Sequence, residues 1–272
     1  MEFLHIRRPA VAGLFYPESE TELRDTVDGF LAEAEKTRPS GPLRPKALIV
    51  PHAGYVFSGP VAASAYLQLK PLRAIIRRVV LLGPAHRAPV EGLALPRCDY
   101  FETPLGRVKL DQAACRAVLD LPQVTENAQV HAPEHSLEVQ LPFLQRTLEN
   151  FEFVPLAVGD ASAPEVHEAI EILWGGPETL ILVSSDLSHY LPYKQAQAED
   201  AATAKKISDL DAPFSPLGHG NACGATPVNG LLLAAREHRL RAYVLDLRNS
   251  GDTAGDRDRV VGYGSFAFTE KP

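Results

Sequence analysis

Short, almost wholly apolar runs that stop abruptly and give way to helical patterns constrain this chain most. "ALIV" (47–50), "RRVVLL" (77–82), "FEFVPLAVG" (151–159) and "TLILVSS" (179–185) are too short for buried helices. Their β-branched content suits strands buried on both faces. Between and after them lie helical patterns: "SGPVAASAYLQL" (58–69), "APEVHEAIEILW" (163–174), "KQAQAEDAATAKKISDL" (194–210) and "TPVNGLLLAAREH" (226–238). Asp111 is placed to cap a further helix, "QAACRAVLDL". "SLEVQLPFLQRTL" (136–148) has apolar residues at helical spacing, and Pro142 predicts a kink or early break. "YFETPLGRVKL" (100–110) reads as a hairpin turning at Pro104 and Gly106, and "NSGDTAGDRDR" (249–259) as a charged loop. "RAYVLDL" (241–247) and "VVGYGSFAF" (260–268) close the chain as strands. The alternation predicts an α/β fold with a largely parallel or mixed central sheet and helices on both faces, as one domain over 1–272.

Composition narrows the function classes. A net charge of −7 gives no clustered basic surface for nucleic acid or an anionic membrane. No apolar stretch reaches the roughly 18 residues of a membrane-spanning helix. Cys98, Cys115 and Cys223 form no CxxC pair and no even-numbered framework, which fits a reducing cytoplasm. The "GYG" of 262–264 precedes a strand and so fails as a dinucleotide fingerprint, and neither GxSxG nor HExxH occurs.

In sheets of this kind ligands bind beyond the carboxyl ends of the strands. Those ends carry an unusual set. "ALIV" is followed by Pro51-His52, "VVLLG" by Pro84-Ala85-His86, and "LILVSS" by Asp186 and then His189. The loop "GHGNACGATP" adds His219 and Cys223 at a helix entrance. Two imidazoles with one carboxylate or thiolate and open positions make a non-haem metal site. His52 and His86 are the first two ligands, and the third is Asp186 or Cys223, with spacing favouring Asp186. His189 is then free to act as acid or base near neutral pH. His135 and Glu138 of "EHSLE", at i and i+3, read first as a helix-start pair, and Tyr55 as a pocket or core aromatic. His5, His167 and His238 read as solvated, and Cys98 and Cys115 as apolar fillers.

Taken together, "RRPAVAGLFYP", "PHAGYVFSGPVAASAY", "LLGPAHR", "EHSLEVQLPFLQ", "SSDLSHY", "NACGATPV" and "GYGSFAF" resemble the Memo family, known in prokaryotes as AmmeMemoRadiSam system protein B. The resemblance runs in order from residue 7 to residue 268. It implies a fold similar to class III, LigB-type extradiol dioxygenases. It also implies metal ligands at His52, His86 and Cys223, so that a thiolate stands where those dioxygenases have a carboxylate. The metal would be iron or copper, with zinc the third option. Asp186 and His189 lie beside it in catalytic places, with Tyr55, His135 and Glu138 bordering the pocket. The implied function is a metal-dependent oxidoreductase acting on a small molecule, linked to a radical-SAM protein. Two other classes compete: a thiol hydrolase or amidase with Cys223 as nucleophile, His189 as base and Asp186 as orienter, and a non-catalytic peptide-binding module.

Overall fold

The computed structural model describes residues 4–37, 43–211 and 217–270. The outermost residues of the expected 1–272 unit lie outside that set. In chain order the strands are β1 (Ile6–Arg7), β2 (Pro45–Val50), β3 (Arg78–Pro84), β4 (Leu93–Leu95), β5 (Tyr100–Thr103) and β6 (Gly106–Lys109). They continue as β7 (Val124–Glu126), β8 (Glu152–Val158), β9 (Thr179–Ser184), β10 (His189–Leu191), β11 (Arg241–Asn249) and β12 (Val260–Thr269). The helices are α1 (Glu20–Lys36), α2 (Tyr55–Tyr66), α3 (Gln112–Val118), α4 (Ala128–His131), α5 (Leu141–Thr147), α6 (Ala163–Leu173), α7 (Tyr193–Ser208), α8 (Ala225–Glu237) and α9 (Ser250–Thr253).

The main sheet is ordered β10-β12-β2-β9-β3-β8-β4-β7, with β11 also paired to β12. Its centre, β2-β9-β3-β8, is parallel throughout. The four apolar runs read from the sequence are these four strands. Each is buried along nearly its whole length, the first residues of β3 and β8 excepted. On one side β12 joins β2 antiparallel, and on the other β4 joins β8 antiparallel, so the sheet is mixed. A smaller sheet, β1-β5-β6, holds the expected hairpin, with β5 and β6 antiparallel. From β2 the chain reaches β3 in one direction across the sheet, and from β8 it returns to β9 in the other. Right-handed crossovers therefore put α2 and α6 on opposite faces.

Three local expectations shift. The helix expected over 58–69 begins at Tyr55, because Gly54 takes the cap position and its carbonyl accepts from the Phe57 and Ser58 amides. It ends at Tyr66 and continues as a 3₁₀ turn, Leu67–Leu72. Pro142 does not kink a helix; it stands in the first turn of α5, where a missing N–H costs nothing. The loop 249–259 contains α9, closed by reciprocal capping between Asn249 and Asp252.

The N-terminal segment is pinned by one buried carboxylate. Glu138 is fully buried and accepts from the Arg7 guanidinium, the Tyr16 hydroxyl and the amides of Ala10 (2.8 Å) and Val11 (3.1 Å). Burial, followed by the charge of Glu138, pushes the Tyr16 hydroxyl far above its ordinary pKa, so it stays a donor. Removing the carboxylate leaves Arg7 buried without its counter-charge. We expect Glu138→Ala to lose about 3 kcal/mol or more of unfolding free energy in urea titration. A loss under about 1 kcal/mol would mean that Arg7 finds water or another acceptor.

Candidate metal centre

The parallel arrangement puts the ends of β2, β9 and β3 side by side at one edge. His52 follows β2 by two residues, Asp186 follows β9 by two, and His86 follows β3 by two. The connection leaving β3 runs towards β4, and that leaving β9 runs the opposite way to β10. The site therefore lies at a topological switch point of the sheet. Cys223 arrives from the other direction, in the loop before α8. Gly224 lets that loop settle on the end of β9: a Cβ there would come within 2.8 Å of Ser185 Cβ and 2.9 Å of the Ser184 carbonyl. The Gly224 amide donates to Ser185 Oγ at 2.9 Å. The Cys223 amide donates to the Asp186 carbonyl at 3.2 Å, and the Asp186 amide to Cys223 Sγ at 3.3 Å.

One donor atom each from His52, His86 and Cys223 fall within 4.8 Å of one another. His52 is buried, and its Nε2 lies 3.3 Å from Cys223 Sγ. Its tautomer follows from its other nitrogen. Ser184 Oγ gives its only proton to the Ser136 carbonyl at 2.6 Å, and Gln140 Nε2 donates to it at 2.8 Å. At 2.9 Å from His52 Nδ1 it must therefore accept from that nitrogen. The Nε2 lone pair is left facing the thiol. Burial, reinforced by repulsion from His86 and His135, holds the His52 pKa well below its ordinary value, so the ring is neutral.

His86 is oriented by a carboxylate that the sequence reading passed over. Glu134 accepts from the His86 amide at 2.5 Å, from the Ser136 amide at 2.8 Å and from the His135 amide at 2.9 Å, and lies 3.2 Å from His86 Nδ1. Burial alone would raise its pKa, but the hydrogen bonds from His86 and Ser136 prevail and hold it well below the usual carboxylate range. An ionised Glu134 can only accept, so His86 Nδ1 is the donor of that contact and Nε2 is the nitrogen left for a ligand. The only sequence signal was a Glu immediately before His135.

His135 packs its ring 5.1 Å from His86, nearly stacked, and 5.6 Å from His52, edge-on. Burial lowers its pKa to about 4, and its Nδ1 is buried without a hydrogen-bond partner. Glu138, expected with it at the pocket, spends its carboxylate on Arg7, Tyr16 and the Ala10–Val11 amides. Tyr55 donates its hydroxyl to the Val139 carbonyl at 2.6 Å and packs against Tyr16 and Phe143. His189 is partly buried, which together with His86 lowers its pKa against a hydrogen bond to the Leu187 carbonyl. Tyr190, next to it, has φ 58°, a left-handed conformation costly for a side-chain-bearing residue. A cleft of about 530 Å³ opens on His86 and Cys223, with Pro84, Val90, His219 and Thr226 in its wall.

Asp186 does its work inward. Its Oδ1 accepts the His52 amide at 2.7 Å, and burial pushes its pKa up to about 7 against that hydrogen bond. Burial and Asp186 together push the Cys223 thiol up to about 12, so without a cation it is protonated at neutral pH. The donor set suits a soft or borderline divalent ion: two oriented imidazoles and one thiol whose ionisation such an ion would drive. A second overlapping set, His86, Glu134 and His135, lies beside the first.

A family profile described as Memo-like protein matches residues 7–267. The chain belongs to the Memo family. Memo-family relatives match it end to end: a MEMO1 family protein of Aquifex aeolicus is 34% identical over 97% of this chain and 100% of its own length. Another from Ignicoccus hospitalis is 37% identical over 97% of this chain and 98% of its own, and one from Sulfolobus acidocaldarius 35% over 97% and 99%. The crystal structure of an uncharacterized protein from Escherichia coli K12 shares the fold. It has a TM-score of 0.52 at 12% identity and covers 81% of this chain and 98% of that one.

Asp186 sets a pH test for the metal-free Memo-family chain. Its folded pKa of about 7 lies above the ordinary 3.8, so between these values the folded chain holds a proton that the unfolded chain has released. That stabilising contribution is full below about pH 4 and is lost as pH rises through about 7. In Asp186→Asn the amide oxygen still accepts from His52, but the titration is gone. We expect urea unfolding in chelator to show wild type losing on the order of 3 kcal/mol more than Asp186→Asn between pH 4.5 and 8. Parallel pH dependences would mean that water relieves the burial of Asp186.

Proposed function

We propose that this Memo-family protein is a metal-dependent oxidoreductase whose iron or copper ion is held by His52, His86 and Cys223. The observation that carries the reading is the convergence of these three donors within 4.8 Å, with His52 Nε2 aimed at the thiol. An iron or copper ion bound there supplies electron transfer to O₂ and polarises a bound phenolic or carbonyl oxygen. The chain's own residues do the rest. Ser184 and Glu134 fix the two imidazoles in the tautomers that leave Nε2 free, and Asp186 anchors the His52 backbone. His189, neutral at pH 7, accepts a proton from a substrate hydroxyl and returns it to product. The cleft of about 530 Å³ admits a small molecule rather than a folded protein.

The thiol-hydrolase reading fares less well. It assigns His189 and Asp186 to the cysteine, whereas the imidazole beside Cys223 Sγ is His52, and Asp186 Oδ1 is occupied by the His52 amide. A thiol pushed up to about 12 is also a poor nucleophile. We assign the protein to the cytoplasm, where the free Cys98, Cys115 and Cys223 remain reduced, and link it to a radical-SAM protein through its family. Among the described residues no helix is long and apolar enough to cross a membrane.

The test is anaerobic metal loading followed by O₂ uptake with a panel of phenols. Because the thiol is protonated in the metal-free state, loading at pH 7 should release about one proton per ion, and Cys223→Ala should release none and bind at least about 10-fold more weakly. Metal-dependent O₂ uptake lost in His189→Ala, with metal content unchanged, supports the assigned proton role. Equal metal affinity and proton release in wild type and Cys223→Ala would overturn the ligand assignment.

A further inference from the structure

At the far end of α8 a second group of ligand-type side chains converges. His167 and Glu171 stand one turn apart on α6, and Glu237 and His238 end α8. The two helices are held close by Gly230, where a Cβ would meet Val166 Cγ1 at 2.5 Å. His167 Nε2 lies 3.2 Å from Glu237 Oε2 and 3.5 Å from Glu171 Oε1. His238 Nε2 is 3.0 Å from both oxygens of Glu171, its ring stacked on Trp174 at 3.9 Å. These histidines, read as solvated from the sequence, are 23% and 31% exposed and held by carboxylates.

We infer that His167, Glu171 and Glu237 form a divalent-cation site, of the zinc class, that clamps α8 to α6. Three observations carry it. His167 Nε2 is buried and makes no hydrogen bond, although carboxylate oxygens of Glu237 and Glu171 lie 3.2 and 3.5 Å from it, which leaves a buried ligand-type nitrogen beside two further donors. Second, the spacings are those of a coordination polyhedron. Ligand bonds of about 2.0–2.1 Å at tetrahedral angles put donors about 3.3–3.4 Å apart, against the 3.2 and 3.5 Å here. Third, Glu171 lies in the last turn of α6 and Glu237 is the last residue of α8. Both carboxylates therefore sit at the negative ends of helix dipoles, where a cation is favoured. Among the described residues their ion pairs are with imidazoles alone. Arg236, also in the last turn of α8, donates to the Leu210 carbonyl. His238 donates to Glu171 and orients it, as an outer partner does for a metal-bound carboxylate. Glu237 is 60% exposed, which leaves an entry path and room for water as the remaining ligand. Cys223 precedes α8 and Glu237 ends it, so at 1.5 Å per residue the two sites lie roughly 20 Å apart. One ion cannot serve both.

The test uses Zn²⁺ itself, on EDTA-stripped full-length protein, by equilibrium dialysis and thermal melting. In a Cys223→Ala background, which weakens the cleft site, about one equivalent of Zn²⁺ should still bind and raise the melting temperature. Adding His167→Gln or Glu237→Gln should weaken that binding by about 10-fold or more and abolish the rise. Glu237→Gln changes an exposed side chain, so it keeps the test valid if His167→Gln folds poorly. Zn²⁺ binding and melting shift unchanged by both substitutions, or no Zn²⁺ bound by the Cys223→Ala parent, would overturn the site. Either result is independent of the cleft, whose own reading stands or falls on the Cys223 comparison.

Discussion

The candidate site depends on a set of hydrogen bonds that stitch the β2 and β9 ends to the loop carrying Cys223. Asp186 Oδ1 holds the His52 amide, and the Asp186 main chain exchanges hydrogen bonds with Cys223 at both its amide and carbonyl. One residue thus fixes the backbone of an imidazole and that of a thiol 171 positions apart. Burying a carboxyl to do this is costly, as its raised pKa records. Its partners are main-chain amides, whose positions are set by the parallel register of β2 against β9. The sheet therefore fixes where the donor atoms meet, and the side chains need only complete the geometry.

Two buried glutamates four positions apart divide the remaining work. Glu134 faces the site and spends its charge on His86 and on the amides of its own turn, which keeps it ionised although buried. Glu138 faces away, and Arg7 with Tyr16 secures the N-terminal segment on it. A buried carboxylate is tolerated when its lone pairs are satisfied, and in each case several donors converge on it. The "EHSLE" stretch thus joins the site to the shell that carries it, through a 3₁₀ turn rather than a long helix.

Much of this was legible in the sequence, for physical reasons that also mark where legibility ended. The four central strands are apolar on both faces, and such runs have few other places to go, so their ends and the histidines after them could be placed in order. The helix read over 163–174 is α6, Ala163–Leu173, and the structure adds the Ser162 cap that starts it. The small strands β1, β4 and β7 carry two or three residues each, too few for any periodicity to register. Spacing favoured Asp186 as a ligand because it ends a buried strand. Its carboxylate instead turns inward to an amide, a choice set by β2, more than 130 positions away in sequence. Glu134 was missed for a similar reason, since its role depends on a β3 loop 48 positions earlier. The resemblance to the Memo family supplied Cys223, which the strand pattern alone left as one of two choices. His167 and Glu237 were out of reach altogether, because their meeting depends on how closely Gly230 lets two helices approach.

The central claim is that a thiol and two imidazoles, and not the nearby carboxylate, hold the ion. X-ray absorption at the edge of the metal bound in the cleft, on protein carrying Glu237→Gln so that the distant cluster does not contribute, tests it most directly. The account predicts one sulfur scatterer and two imidazole nitrogens, with the sulfur lost in Cys223→Ser. A spectrum with oxygen and nitrogen scatterers alone, unchanged by Cys223→Ser and altered by Asp186→Asn, would contradict it.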